Sequence, residues 1–142
     1  MIIKQICDME YMDKIEFREG LKNRTKQFAL ACIKFYQSLP STGENRIIGN
    51  QFLRSATSVA ANYRAACRAR SGNEFYSKIC IVVEEADETL FWLEMLTESG
   101  IVTNDKVSSI YQENEEIVKI MATIKKNSKP ESNKSGNNQE ES

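Results

Sequence analysis

Apolar residues recur along this chain at steps of three and four, the repeat of an α-helix that buries one face. Between about Asp13 and Ser38 the repeat is carried by Phe17, Leu21, Phe28, Ala31, Cys32 and Phe35, and Pro40 with Gly43 closes the stretch. A second helix is predicted from about Glu44 to Arg70, with Ile48, Phe52, Ser55, Val59, Tyr63 and Ala66 along one face. Small residues crowd it (Ser55, Ala56, Ser58, Ala60, Ala61, Ala65 and Ala66), so a neighbouring helix can approach closely. Ser71-Gly72-Asn73-Glu74 forms a capping box, in which the Ser71 hydroxyl accepts the Glu74 N–H and Glu74 reaches back. The third helix it opens carries Phe75, Ile79, Val82, Val83, Ala86, Leu90, Leu93 and Leu96, and Gly100 is a natural stop. The fourth starts near Thr103, with Asp105 where the helix dipole favours an anion. Val107, Ile110, Asn114, Ile117, Met121 and Ile124 then follow steps of 3, 4, 3, 4 and 3, a heptad seam with one polar member.

The connections, about Leu39–Gly43, Ser71–Gly72 and Ser99–Val102, are short beside helices of roughly 25 residues, each ~38 Å long. Short loops force antiparallel neighbours. The expected fold is all-α, an antiparallel up-down-up-down four-helix bundle over residues 13–127. Residues 1–12 form an N-terminal segment. Ser128–Ser142 holds no hydrophobic residue to offset its ordering entropy and reads as a disordered tail.

The third helix carries more apolar surface than a bundle uses. Ile79–Val83 is apolar all round, and Leu90, Phe91, Trp92, Leu93, Met95 and Leu96 cover more than the ~100° stripe of a bundle helix. The surplus, Phe91, Trp92 and Met95 above all, is expected to form an oligomer interface. The alternative is that Met1–Met12 folds back over it.

Composition narrows the chemistry. Glycine and proline make up only eight of 142 residues, in keeping with a helical chain, and there is no histidine. The commonest general base and the commonest transition-metal ligand are therefore missing. Cys7, Cys32, Cys67 and Cys80 include no C-x-x-C pair, and the last three sit among apolar neighbours, as reduced buried thiols would. No apolar run approaches membrane-spanning length, and Asp8 and Glu10 interrupt the N-terminal apolar residues where a signal peptide would need continuity. A cytoplasmic, non-enzymatic protein without cofactor, metal or membrane partner is expected.

The net charge is −1, but it is unevenly spread. Residues 46–80 carry Arg46, Arg54, Arg64, Arg68, Arg70 and Lys78 against Glu74 alone, whereas residues 81–100 carry six acids and no base. Arg64 and Arg68 share a helix face, and with Arg70 and Lys78 they gather at one end of the bundle as a candidate phosphate-contacting patch. The alternative is a solvated end or a subunit contact with acids. Arg54 and Asn62, with Ser55 and Ser58 nearby, either receive a partner's backbone or phosphate or form an internal polar network to Glu85 or Glu88. Glu84 and Glu88 share a face, but bundle metal sites draw carboxylates and histidines from several helices, which this sequence does not offer.

Three segments, Leu53-Arg54-Ser55-Ala56-Thr57-Ser58-Val59-Ala60-Ala61-Asn62, then Arg68-Ala69-Arg70-Ser71 with Glu74-Phe75, then Glu84–Leu93, resemble the bacterial four helix bundle protein family, also called the 23S rRNA intervening-sequence or S23 family. The likeness runs from about Lys26 to Ile124. It departs from the family pattern at Ala65, where a Glu is usual. The resemblance implies an antiparallel four-helix subunit that assembles with copies of itself, as related proteins do in five-membered rings. It also points to structured RNA or a reverse-transcriptase-like enzyme as partner, since some members are encoded within rRNA-gene insertions and a related branch serves as accessory subunit of diversity-generating retroelements. A purely structural or protein-interaction module that binds no nucleic acid is the second reading.

Truncation after Asn127 is expected to leave the melting temperature within a few degrees of the full chain's, measured by circular dichroism.

Overall fold

The computed structural model describes residues 1–132 as four α-helices: α1 (Ile2–Gln37), α2 (Gly43–Cys67), α3 (Gly72–Glu98) and α4 (Asn104–Ser128). Each packs antiparallel to its predecessor, giving the up-down-up-down bundle, and no strand occurs among the described residues. The widest contact is α2 on α3; α1 lies against α2, α4 against α3, and α1 and α4 meet over a narrow stretch.

The buried positions follow the helical repeat. Phe52, Ala56, Val59, Tyr63 and Ala66 of α2 meet Ile79, Val82, Ala86, Leu93 and Leu96 of α3, all sealed from solvent. Fully burying one of the larger of these side chains contributes about 1.5–3 kcal/mol. Small residues at the centre, Ser55 and Ala56 facing Ala86 and Thr89, bring the two backbones close enough for Thr89 Oγ1 to lie 3.0 Å from Ser55 Oγ. Gly49 does the same for the α1–α2 end: a Cβ there would stand 3.2 Å from Leu39 Cδ1 and from Tyr36 Cε2.

The turns obey local chemistry. Ser71 Oγ accepts the Glu74 N–H at 3.1 Å, while the Glu74 carboxylate accepts the N–H of Arg70 at 3.0 Å, so the reach back lands one residue ahead of the cap. Gly100, at φ +79°, turns the chain out of α3 in the left-handed region that side chains disfavour.

The structure differs from the sequence reading at the N-terminus. α1 begins at Ile2 instead of near Asp13, because nothing before Gly20 breaks its hydrogen-bond ladder. Residues 1–20 are exposed throughout and Leu21 is the first buried side chain, so about sixteen residues, ~24 Å of helix, project past the α2–α3 turn. Met1–Met12 does not fold back over α3. The apolar surplus is therefore mostly elsewhere than expected: Ile2, Ile3, Ile6, Met9, Met12 and Phe17 stand exposed on this arm. On α3, Trp92 is half-buried against the core, its ring edge-on to Phe91 at 4.9 Å, and the exposed large apolar side chains are Phe91 (48%) and Met95 (36%). Residues 129–132 after α4 are exposed and non-helical, and the rest of the expected tail lies outside the described residues.

On the α4 seam, Val107, Ile117 and Met121 are buried, and so is Asn114. Asn114 Nδ2 donates to the Ala86 carbonyl at 3.0 Å, but its Oδ1 has no partner among the described residues. A buried unpaired polar atom costs about 1–3 kcal/mol. Asn114→Leu, which keeps the branched shape, is expected to raise the unfolding free energy by about 1–2 kcal/mol in urea titration.

Candidate nucleic-acid interface

Antiparallel packing of α1 on α2 sets Lys22 and Lys26, one turn apart on α1, beside Arg64 and Arg68, one turn apart on α2. Together they line an open groove of about 480 Å³ whose remaining walls are Thr57, Ala60 and Ala61. Among the described residues no acidic side chain lines it; Glu19 lies outside and pairs with Lys22 at 2.8 Å. Arg64 and Arg68 are exposed and, among the described residues, form no ion pair. Both sit at the C-terminal end of α2, where the helix dipole favours a cation. That suffices to explain two arginines at a helix end. It does not explain the two lysines that α1 brings to the same groove.

The four bases singled out from sequence do not form one patch. Arg70 lies past the end of α2 and turns away from Arg64 and Arg68. It lines a second concavity, of about 280 Å³, with Arg18, whose guanidinium sits 5.1 Å from the centre of the Phe75 ring. Lys78 is half-buried on α3 and lines neither. Sequence reasoning missed Lys22, Lys26 and Arg18 because it followed charge along α2 and α3. The Lys22–Lys26 spacing was legible, but its facing Arg64–Arg68 is a product of tertiary packing.

Arg54 has internal partners. Its Nη1 donates to Glu85 Oε2 at 3.2 Å, its Nη2 to Glu88, and its Nε to Gln51 at 3.2 Å. Glu88 also accepts the Trp92 indole N–H at 3.1 Å. The cluster sits at the surface edge of the α2–α3 contact, with the Arg54 side chain 48% exposed. Asn62 does not join it: it lies two turns along α2 and donates to its own helix, at the Ser58 carbonyl, at 2.9 Å. The hydrogen bond from Arg54, helped by that from Trp92, holds the Glu88 carboxyl below its ordinary range. A second bridge unnoticed in the sequence joins α1 to α4, where Arg24 donates to Glu113 at 2.5 Å and to Glu116.

No group of three or more His, Cys, Asp or Glu side chains suited to a metal occurs among the described residues. Burial pushes the Cys32 thiol up to about 12, which keeps it protonated and unreactive, and Cys67 and Cys80 are half-buried. No helix among the described residues is long and apolar enough to cross a membrane.

The family model for the 23S rRNA-intervening sequence protein matches residues 20–123, and the chain belongs to that family. A crystal structure of a protein of unknown function from the S23 ribosomal protein family of Bacteroides thetaiotaomicron VPI-5482 is similar, with 34% identity and a TM-score of 0.69. The alignment covers 74% of this chain and 97% of that one. No curated protein matches. The groove-forming parts of α1 and α2 fall inside the matched region, whereas residues 2–19 of α1 precede it.

The depressed Glu88 carboxyl makes a pH-dependent contribution. It is complete above the ordinary carboxylate value of 4.5 and is lost as pH falls through the lower folded value. Glu88→Gln is therefore expected to lower the melting temperature at pH 7, with the gap to wild type closing as pH falls below about 4.

Proposed function

We propose that this member of the 23S rRNA-intervening sequence protein family works without catalysis, as a self-associating four-helix subunit that holds structured RNA against its α1–α2 groove. One observation carries the reading: Lys22, Lys26, Arg64 and Arg68 converge from two helices on a groove that no acidic side chain lines among the described residues. Convergent cations with room around them suit a phosphate backbone, which each arginine can engage with two parallel hydrogen bonds. The small floor, Thr57, Ala60 and Ala61, lets a backbone approach closely and offers no aromatic ring for a base to stack on. Recognition is accordingly by backbone and shape, with little sequence preference. Arg18 and Arg70 at the bundle end extend the track. The histidine-free composition supports a binding role over an enzymatic one. The absence of disulfides among the four cysteines fits a reducing, cytoplasmic setting. Self-association in a closed ring, five-membered in the form the family resemblance implies, would draw on the exposed Phe91 and Met95 and set several grooves side by side.

A protein-interaction role without nucleic acid is the second reading, and the exposed apolar arm of α1 favours it.

Binding to a structured RNA, titrated with salt, separates the two. About four phosphate contacts predict a log–log salt slope near −3 to −4. Arg64→Glu with Arg68→Glu is expected to weaken binding at least tenfold and to flatten the slope by about 2. A wild-type protein that binds no RNA at low salt supports the interaction module. Light scattering at micromolar concentration is expected to give a mass well above 16.2 kDa, and a clean monomer would count against self-association.

A further inference from the structure

The arm of α1 is patterned. Ile2, Ile6, Met9, Asp13 and Glu16 follow steps of 4, 3, 4 and 3, which places them on one stripe of the helix, apolar in its outer half and acidic in its inner half. All five are exposed. The α2 side of the basic groove is patterned in the same direction: Thr57, Ala60 and Ala61 come first and Arg64 and Arg68 follow. The distances agree as well. From Met9 to Asp13 and Glu16 the helix rises ~6 and ~10 Å, and from Ala61 to Arg64 and Arg68 ~5 and ~10 Å.

We propose that the α1 arm of a second copy of this chain docks in the α1–α2 groove, its Met9 on the Ala60–Ala61 floor, its Ile6 level with Thr57, its Ile2 beyond, and its Asp13 and Glu16 against Arg64 and Arg68. With α1 one continuous helix, the arm does not reach its own groove: it continues α1 past the end of the bundle, and the groove lies alongside the rest of the same helix. The matched patterns run the arm parallel to the α2 that receives it, and hence antiparallel to the α1 that receives it. In that orientation the two bundles abut at the ends from which their arms project, and each arm lies on the other bundle. The contact is self-complementary and closes as a two-fold pair, of single chains or of rings built through Phe91 and Met95, which it leaves uncovered.

Other occupants fit less well. Helices that lie on anionic membranes carry basic polar faces, whereas residues 2–17 hold Asp8, Glu10, Asp13 and Glu16 against Lys4 and Lys14. The same excess of acid disfavours nucleic acid on the arm. An acidic and apolar helix suits a basic groove with a small-residue floor. The arm also lies outside the family's matched region, so it adds to the shared bundle a contact of its own. Competition between arm and RNA for the groove rests on the RNA reading; docking of the arm stands without it.

Charge exchange in the full-length chain tests the docking. Asp13→Lys with Glu16→Arg makes both arm and groove basic, and Arg64→Glu with Arg68→Glu makes both acidic. Each variant alone is expected to raise the dissociation constant of the pair at least tenfold in sedimentation velocity, with helicity checked by circular dichroism. An equimolar mixture is expected to recover a heteromer near wild-type affinity, since each arm then meets a groove of opposite sign. A groove variant whose assembly stays as large as the wild type's, or no recovery in the mixture, would overturn the proposal. Ile6→Asn with Met9→Asn, which leaves the charge unchanged, tests the competition: RNA should bind severalfold more tightly once the arm is released. Unchanged RNA affinity alongside charge-exchange recovery would overturn competition but not docking, and a wild type that binds no RNA would remove the RNA reading and leave the sedimentation result to decide the arm.

Discussion

The close approach of α2 to α3 is the contact on which the other helices depend. It is possible because Ser55, Ala56 and Ala86 are small, and it is sealed by large side chains above and below them, from Phe52 and Leu93 to Tyr63 and Ile79. Two hydroxyls inside this contact cost little, since Thr89 lies within hydrogen-bond distance of Ser55 and Ser55 donates to the Phe52 carbonyl at 3.0 Å. α1 and α4 each lean on the pair and scarcely touch one another, so Arg24 with Glu113 and Glu116 fastens a seam that apolar packing alone covers thinly. The groove along α1 and α2 is the outer face of the same arrangement, and its floor is the continuation of the small-residue run of α2 around the helix.

Much of the bundle was legible because burial and periodicity say the same thing. In α4 the heptad seam named the buried face, including its polar member Asn114. The turn at Ser71 and Gly72 fixed the register of α2 on α3, so residues about equally far from it face one another; Arg54 with Glu85 and Glu88 follows from that alone. The start of α1 was not legible in the same way. Its first turns are helical without being buried, and a reading that equates helix with an apolar face packed on a core stops where the packing stops.

The candidate site was half legible for a related reason. Arg64 and Arg68 share a face by spacing, and no tertiary knowledge is needed to pair them. Lys22 and Lys26 join them only because α1 crosses α2 at that level, which depends on the length of the Leu39–Gly43 connection and on how closely Gly49 lets the helices approach. The surplus of apolar residues on α3 divides in the structure: Trp92 has a place against the core and an acceptor for its indole N–H in Glu88, while Phe91 and Met95 stay exposed.

Gly20 stands between the last fully exposed turn of α1 and Leu21, its first buried residue, with open space around it. Geometrically α1 is one continuous helix; in helix–coil terms it is two segments joined at a weak link. A glycine inside a helix costs about 1 kcal/mol relative to alanine. Fraying that begins at Ile2 therefore meets little resistance until it passes Gly20, where every further broken turn also exposes core. The outer segment can melt and reform without disturbing the bundle, and its ordering entropy is settled only when a surface receives it.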